Sequence, residues 1–392
     1  MTTARYTIVS ADGHVGADRP DYKEYLESRW HEEFDVWNDS FVNPFGDLEN
    51  PDADRNWDSA RRQRELEADG IAAEVLFPNT VPPFFPSGGL VARPPDTPTE
   101  LEQRTAGLRA HNRWLAEFCA ELPGRRAGLA QVFANDPDQV AADIAWAAEN
   151  GLKGILLSAI PPDSHLVGLW SPRYDPIWAA AQHHDIVVAQ HGGQGVPELE
   201  DAPRFVWLME VPFFANRTLW HLIIGGVFER FPRLRFTMTE QSVGWVPEVL
   251  ARMDNIWESW TKTGAVGVMR SEGEQLPHPP SYYFHRNVWM GSSFTTPKEA
   301  VSIAEMGHTR AMWGADFPHD EGTYPYTTEA LQYSFHTWEE ESLKDLLGRT
   351  AAQVYGLDYE ELANLDIGPE ASDVATPLDA IPDTKCLAFR LI

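Results

Sequence analysis

The feature that most restricts this chain is a repeated alternation of eight short β-branched or apolar runs, most of them separated by a helical pattern. The runs are Tyr6 to Ser10, Ala73 to Phe77, Leu129 to Val132, Gly154 to Leu157, Ile186 to Ala189, Leu234 to Met238, Val288 to Met290 and Ala311 to Trp313. Between them, Pro137 to Asn150 reads as a helix with Asp136 as its N-cap, proline at its first position and Gly151 closing it. Pro176 to His184 is a second helical pattern. Strand, helix and strand in succession form a βαβ unit, which places parallel strands side by side. The expected fold is therefore α/β, a TIM-like (β/α)₈ barrel; an open doubly wound sheet is the competing arrangement.

Length fits one such barrel, because 392 residues are enough for a single ring with insertions. The expected division is a barrel over residues 1–356 and a C-terminal extension over 357–392, where the periodicity lapses into Asp, Pro and Ala. That extension reads either as disordered or as an arm around a neighbouring subunit. Insertions are expected at Val15 to Arg62, Pro78 to Thr105, Gly192 to Arg217 and Thr261 to Arg286, all following strands. In a barrel they would gather over the C-terminal face and build a lid and pocket wall. They carry many aromatics, among them Trp30, Trp37, Phe41, Phe45, Trp57, Phe84, Phe85, Phe205, Trp207, Phe213 and Phe214. Packing between loops and barrel, or a subunit interface, explains these more simply than substrate contact.

A net charge of −28 argues against nucleic acid as a partner, since phosphate neutralisation needs a basic face. No apolar run approaches the roughly 18 to 20 residues that span a bilayer. No signal-peptide pattern precedes the first strand, and the two cysteines, Cys119 and Cys386, lack the spacing of a thiolate zinc site or a disulfide scaffold. A reducing, cytoplasmic location is expected.

In a barrel, chemistry sits on polar residues at the strand ends. Strand one ends in Ser10-Ala11-Asp12-Gly13-His14, and strand alternation points Asp12 and His14 to one side, where a carboxylate and an imidazole can grip one cation. Alone, an Asp before Gly is an ordinary turn residue. Strand five ends in Gln190-His191-Gly192-Gly193, and strand eight in Gly314-Ala315-Asp316-Phe317-Pro318-His319. Three strand ends that each offer a metal ligand reinforce one another, and two imidazoles with two carboxylates suit zinc, manganese or iron(II). Strand six ends in Thr239-Glu240-Gln241, where Glu240 reads as a general base, a further ligand or a partner for Arg252. Strand four offers no lysine; His165 is its nearest imidazole. His111, His183, His184, His221 and His336 fall in helical patterns or at helix ends and read as structural.

These motifs, together with Gly225-Gly226-Val227-Phe228-Glu229-Arg230-Phe231-Pro232 before strand six, resemble the amidohydrolase-related metal-dependent barrels that include aminocarboxymuconate semialdehyde decarboxylase and the resorcylate decarboxylases. The resemblance runs from Ile8 to about Tyr355. It implies Asp12, His14, His191 and Asp316 as ligands of a divalent transition metal, with Glu240 and His165 as candidates for a further position. The family usually has a histidine where this sequence has Glu240.

Two chemistries follow. In one, a single ion supports hydrolysis or decarboxylation of a small, carboxylate-bearing molecule, with Glu240, Asp316 or His319 handling the proton. In the other, Glu240 and His165 or His319 complete a second position, and two irons activate dioxygen, as in relatives similar to 2-aminoisobutyrate hydroxylase. A third reading makes the chain a metal-binding partner subunit of a hetero-oligomeric enzyme; homo- or hetero-oligomerisation is compatible with all three. Arg55, Arg204, Arg217 and Arg286 are candidate clamps for a substrate carboxylate.

Overall fold

The computed structural model describes residues 5–43, 46–87, 93–199, 201–270 and 276–390. Eight parallel strands follow one another in chain order around a ring: β1 Ile8–Val15, β2 Ile71–Pro78, β3 Arg126–Val132, β4 Gly154–Leu157, β5 Val187–His191, β6 Phe236–Thr239, β7 Val288–Ser293 and β8 Ala311–Gly314. The ring closes between β1 and β8 through His14 N–H to Phe317 O at 2.7 Å and Asp316 N–H to Asp12 O at 3.0 Å. Ser10 Oγ adds a tie by accepting from Ala315 N–H at 2.9 Å. This is the expected (β/α)₈ barrel. The closing bonds are made by the backbone of the candidate ligands themselves.

Helices follow the strands as α1 Ser59–Ala68, α2 Pro98–Ala120, α3 Pro137–Glu149, α4 Asp175–His183, α5 Arg204–Ile224, α6 Val246–Thr263, α7 Pro297–Met306 and α8 Thr327–Phe335. The N-terminus of α3 forms for the local reason read from sequence: Asp136 Oδ1 accepts from Gln139 N–H at 3.2 Å, and Pro137 needs no partner for a missing N–H. Its buried residues Val140, Ile144 and Ala147 recur at helical spacing and pack into the main core.

Three expectations are revised. β1 runs to Val15, so Asp12 and His14 lie inside the strand; all eight of its residues are buried. The second and third insertions become regular sooner than expected, at Pro98 and Arg204, and the fourth contains a two-stranded hairpin, Ala265–Val266 with Met269–Arg270, and a helix, Pro280–Asn287. The described part of the segment after Gly356 packs on its own barrel, burying Leu362, Val374, Cys386 and Ala388. Tyr6 N–H to Pro369 O and Leu387 N–H to Glu321 O, both 3.0 Å, pin it there.

Loop aromatics pack mainly on one another: the Phe84 ring centroid lies 5.8 Å from that of Trp30 and 6.1 Å from that of Trp37. Phe45 and the side chain of Arg204 lie outside the described residues. Both cysteines are buried and free. Among the described residues no helix is long and apolar enough to cross a membrane.

Candidate metal centre

Four strands bring the candidate ligands together at the C-terminal end of the barrel. β1 carries Asp12 and His14, β5 ends on His191, β6 is followed by Glu240, and β8 is followed by Asp316. His14 Nε2 lies 3.2 Å from Asp12 Oδ1 and 3.2 Å from Asp316 Oδ1. His191 Nε2 lies 3.3 Å from Asp12 Oδ1 and 3.4 Å from Glu240 Oε2. His319 joins through Nδ1, 2.8 Å from Asp316 Oδ1, with its ring 4.2 Å from that of His14. Two groups of ligand atoms, Asp12–His14–His191 and His14–Asp316–His319, each lie within 4.8 Å of one another.

Backbone detail explains these positions. Asp316 and Glu240 both take positive φ, 59° and 55°, which bends the chain sharply inward just beyond the strand. A side chain on Gly192 would bring its Cβ within 2.3 Å of Glu240 O, so glycine is required for that approach. Asp12 Oδ2 accepts a short hydrogen bond from Ser293 Oγ at the end of β7.

The chemistry of this set fits a divalent cation. His14 Nδ1 lies 3.3 Å from Pro78 O and His191 Nδ1 lies 3.2 Å from Gly192 O. A ring nitrogen bonded to a carbonyl carries the proton, so in the neutral imidazoles both Nε2 lone pairs face carboxylates. Lone pair against carboxylate is repulsive until a proton or a cation sits between them. Among the described residues, Asp316 Oδ2 is also buried without a hydrogen-bond partner.

Electrostatics points the same way. Burial works against the charged form of Asp12, yet His191 and His14 overcome it and hold its carboxyl well below the usual range. Burial likewise opposes ionisation of Asp316, and His319 and His14 bring it down. His14 and His191 are raised despite burial, His14 by Asp12 and Asp316, His191 by Asp12 and Glu240. His319 rises to about 10 against burial, driven by Asp316. Glu240 goes up to about 8, first through burial and then through the neighbouring Asp316 and Asp12 carboxylates.

Other sequence candidates lie elsewhere. His165 is half-exposed and its Nδ1 stands 3.0 Å from Asp96 Oδ1, because the loop after β4 carries it outward into an ion pair; it is in neither ligand group. Arg55 is engaged by Glu65 at 2.6 Å and Asp52 at 3.3 Å. Arg286 donates to Phe228 O and Asn287 Oδ1, and Arg217 lies over the Phe214 ring and beside His221. His111 is buried against the Tyr22 hydroxyl at 2.7 Å, a structural role.

Several residues were not legible as functional. Arg62 donates to Glu74 at 2.8 and 2.6 Å and to His14 O at 2.9 Å, bracing β1 from behind. A glutamate inside the otherwise apolar run Ile71 to Phe77 was its one sequence signal. Ser293 gave none. Beside Glu240 opens a cavity of about 540 Å³, whose lining includes Pro212, Gln241, Trp245, Phe294 and Lys298.

Known proteins share this architecture. A profile of the amidohydrolase family matches residues 31–357, beginning after β1. A gamma-resorcylate decarboxylase of Rhodococcus jostii is 27% identical over 247 residues, covering 56% of this chain and 69% of its own. A 2-amino-3-carboxymuconate-6-semialdehyde decarboxylase of Dictyostelium discoideum is 25% identical over 307 residues, 77% of each chain. Among solved structures, a 5-carboxyvanillate decarboxylase of Novosphingobium aromaticivorans with bound manganese superposes with a TM-score of 0.67 at 21% identity, covering 90% of this chain and 97% of that one.

Proposed function

The chain belongs to the amidohydrolase family, and from that membership we propose that it is a divalent-metal-dependent decarboxylase acting on a small aromatic carboxylic acid. The observation that carries the metal is the convergence of Asp12, His14, His191 and Asp316, with Asp316 Oδ2 buried and, among the described residues, without a hydrogen-bond partner. Manganese in a solved structure of similar fold supports that metal among zinc, manganese and iron. Relatives named for decarboxylation support that reaction over hydrolysis.

Asp12, His14, His191 and Asp316 would hold the ion, and when bound it supplies a positive centre that orients a substrate carboxylate and stabilises developing negative charge. Decarboxylation replaces a carboxylate by a proton: CO₂ leaves, the bonding pair stays on carbon, and an acid must supply hydrogen there. Glu240 is the group placed for this. Burial and the neighbouring carboxylates draw its carboxyl up to about 8 while no ion is bound, which favours the proton-holding form an acid needs. His319, 2.8 Å from Asp316, is a second group in the cluster that can hold a proton.

The two-iron, dioxygen-activating reading finds no support among the relatives named above. A non-catalytic partner role sits poorly with a chain that keeps four candidate ligands and a proton-holding carboxyl in one place. Incubation of the manganese-loaded chain with 2,6-dihydroxybenzoate and 5-carboxyvanillate, followed by CO₂ release, tests the proposal. Release that requires the ion supports it; hydrolysis of amide or ester analogues without CO₂ release from any aromatic acid refutes it.

A further inference from the structure

The two oxygens of the Asp12 carboxylate face different partners. Oδ1 is the one shared by the imidazoles, 3.2 Å from His14 Nε2 and 3.3 Å from His191 Nε2. Oδ2 is turned to Ser293 and accepts its hydroxyl. Both residues are buried, Asp12 1% exposed and Ser293 4%. Packing fixes the base of the aspartate: a Cβ on Gly314 of β8 would lie 2.5 Å from the Asp12 Cβ, so only glycine lets the two strands approach this closely. The terminal torsion of an aspartate is soft, however, and packing around Cβ does not set it. The Ser293 hydroxyl does.

The turn that presents this hydroxyl is strained and firmly held. Ser293 ends β7, and the next residue, Phe294, takes φ 37°, a left-handed conformation unfavourable for a bulky side chain. Polar side chains lock the turn. Ser292 Oγ and Thr295 Oγ1 pair at 2.8 Å, Ser334 Oγ of α8 donates to Thr295 O at 2.7 Å, and Thr296 Oγ1 accepts from Glu299 N–H at 3.2 Å to cap α7. Glu299 Oε1 accepts in turn from Val243 N–H at 2.9 Å, tying the turn to the segment after β6. Strain that the surroundings hold in place this way marks a position whose geometry is used.

We propose that Ser293 is a positioning residue for the metal centre: by holding Oδ2 it makes Asp12 bind the ion through Oδ1 alone, which keeps one coordination position open for the substrate. The inference rests on the metal-centred reading above. A carboxylate can hold a cation through one oxygen or through both, and with Oδ2 released the second mode fills a further position. Manganese favours octahedral coordination, so four protein residues that give one atom each leave two positions, and a chelating Asp12 leaves one. A catalytic ion needs such an open position for the substrate.

An Mn²⁺ titration of the full chain, followed by water-proton relaxation of the loaded protein, tests the proposal, since the relaxation counts exchangeable water ligands. Ser293→Ala should bind Mn²⁺ no more weakly than wild type, yet its relaxation enhancement per bound ion should fall by about half as one of two open positions is lost. Ser293→Thr keeps a hydroxyl on the same carbon and should retain the wild-type enhancement. Ser293→Cys, whose thiol donates only weakly, replaces the alanine variant if that one does not fold by circular dichroism. A merely structural serine predicts the reverse pattern, weaker Mn²⁺ binding with unchanged relaxation per bound ion, and that result overturns the proposal. An alanine variant that matches wild type in both measurements, or a threonine variant that behaves as alanine does, overturns it too. Wild-type protein that binds no Mn²⁺ refutes the metal centre itself and this proposal with it, a failure distinct from one in which wild type binds and the variants do not differ.

Discussion

Arg62 and Glu74 face each other through two hydrogen bonds, 2.8 and 2.6 Å, with both side chains buried. The same guanidinium donates to His14 O at 2.9 Å and lies 4.8 Å over the Phe317 ring, joining β1 to β8 beneath the candidate metal ligands. Removing one partner of such a pair leaves a buried charge uncompensated. Arg62→Met is expected to cost about 3–5 kcal/mol in urea unfolding, and adding Glu74→Leu to recover much of it. A single-variant loss below about 1 kcal/mol would show that the pair does not brace the barrel.

Metal affinity should rise with pH. Neighbouring carboxylates raise His14 and His191 above their ordinary value of 6.5 and take His319 to about 10, which favours protons on these rings while no ion is bound. A cation must displace them. Binding of Mn²⁺ should therefore strengthen from pH 6.5 to 9 and release protons, measured by calorimetry in buffers of different ionisation enthalpy. Affinity that is flat or falls over this window would sink the assignment of the imidazoles as ligands.

Glu240→Gln keeps shape and removes the proton. In the proposed role it should lower kcat by about 10² to 10⁴-fold while leaving metal stoichiometry unchanged. Loss of one of two bound metals in this variant would instead place Glu240 among the ligands of a two-ion centre.

Asp69 gives a pH test remote from the metal centre. Burial raises its carboxyl to about 7, although it accepts from Thr327 Oγ1 at 2.6 Å and from Thr327 N–H at 3.3 Å. With the folded value raised above 3.8, its contribution to stability is full below pH 3.8 and is lost as pH rises through 7. Asp69→Asn escapes that loss. The Tm of the variant relative to wild type should increase from pH 5 to pH 8.5, by the equivalent of about 2–4 kcal/mol. An unchanged difference across that range would contradict the raised carboxyl.

The barrel was legible because its signals are local. β4 runs from Gly154 to Leu157 as its short apolar run suggested, and α3 starts at Pro137 behind its Asp136 cap. Asp12, His14, His191 and Asp316 could be read because strand alternation and strand ends are also local properties. β1 was drawn too short, since polar ligands within a buried strand look like the start of a loop. His165 was misplaced because nothing in its neighbourhood reveals that Asp96, 69 positions earlier, draws it outward. Arg62 and Ser293 escaped notice for a related reason: closure of the ring gives them their surroundings, as when Ser293 meets Asp12 across 281 positions.

The most direct test of the central claim is titration of the metal-stripped chain with Mn²⁺, followed by electron paramagnetic resonance. Wild-type protein should take up one tightly held equivalent, and His191→Ala and Asp316→Ala should each lose it while remaining folded by circular dichroism. Wild-type protein that binds no ion, or variants that bind as wild type does, would contradict a metal centre built from Asp12, His14, His191 and Asp316.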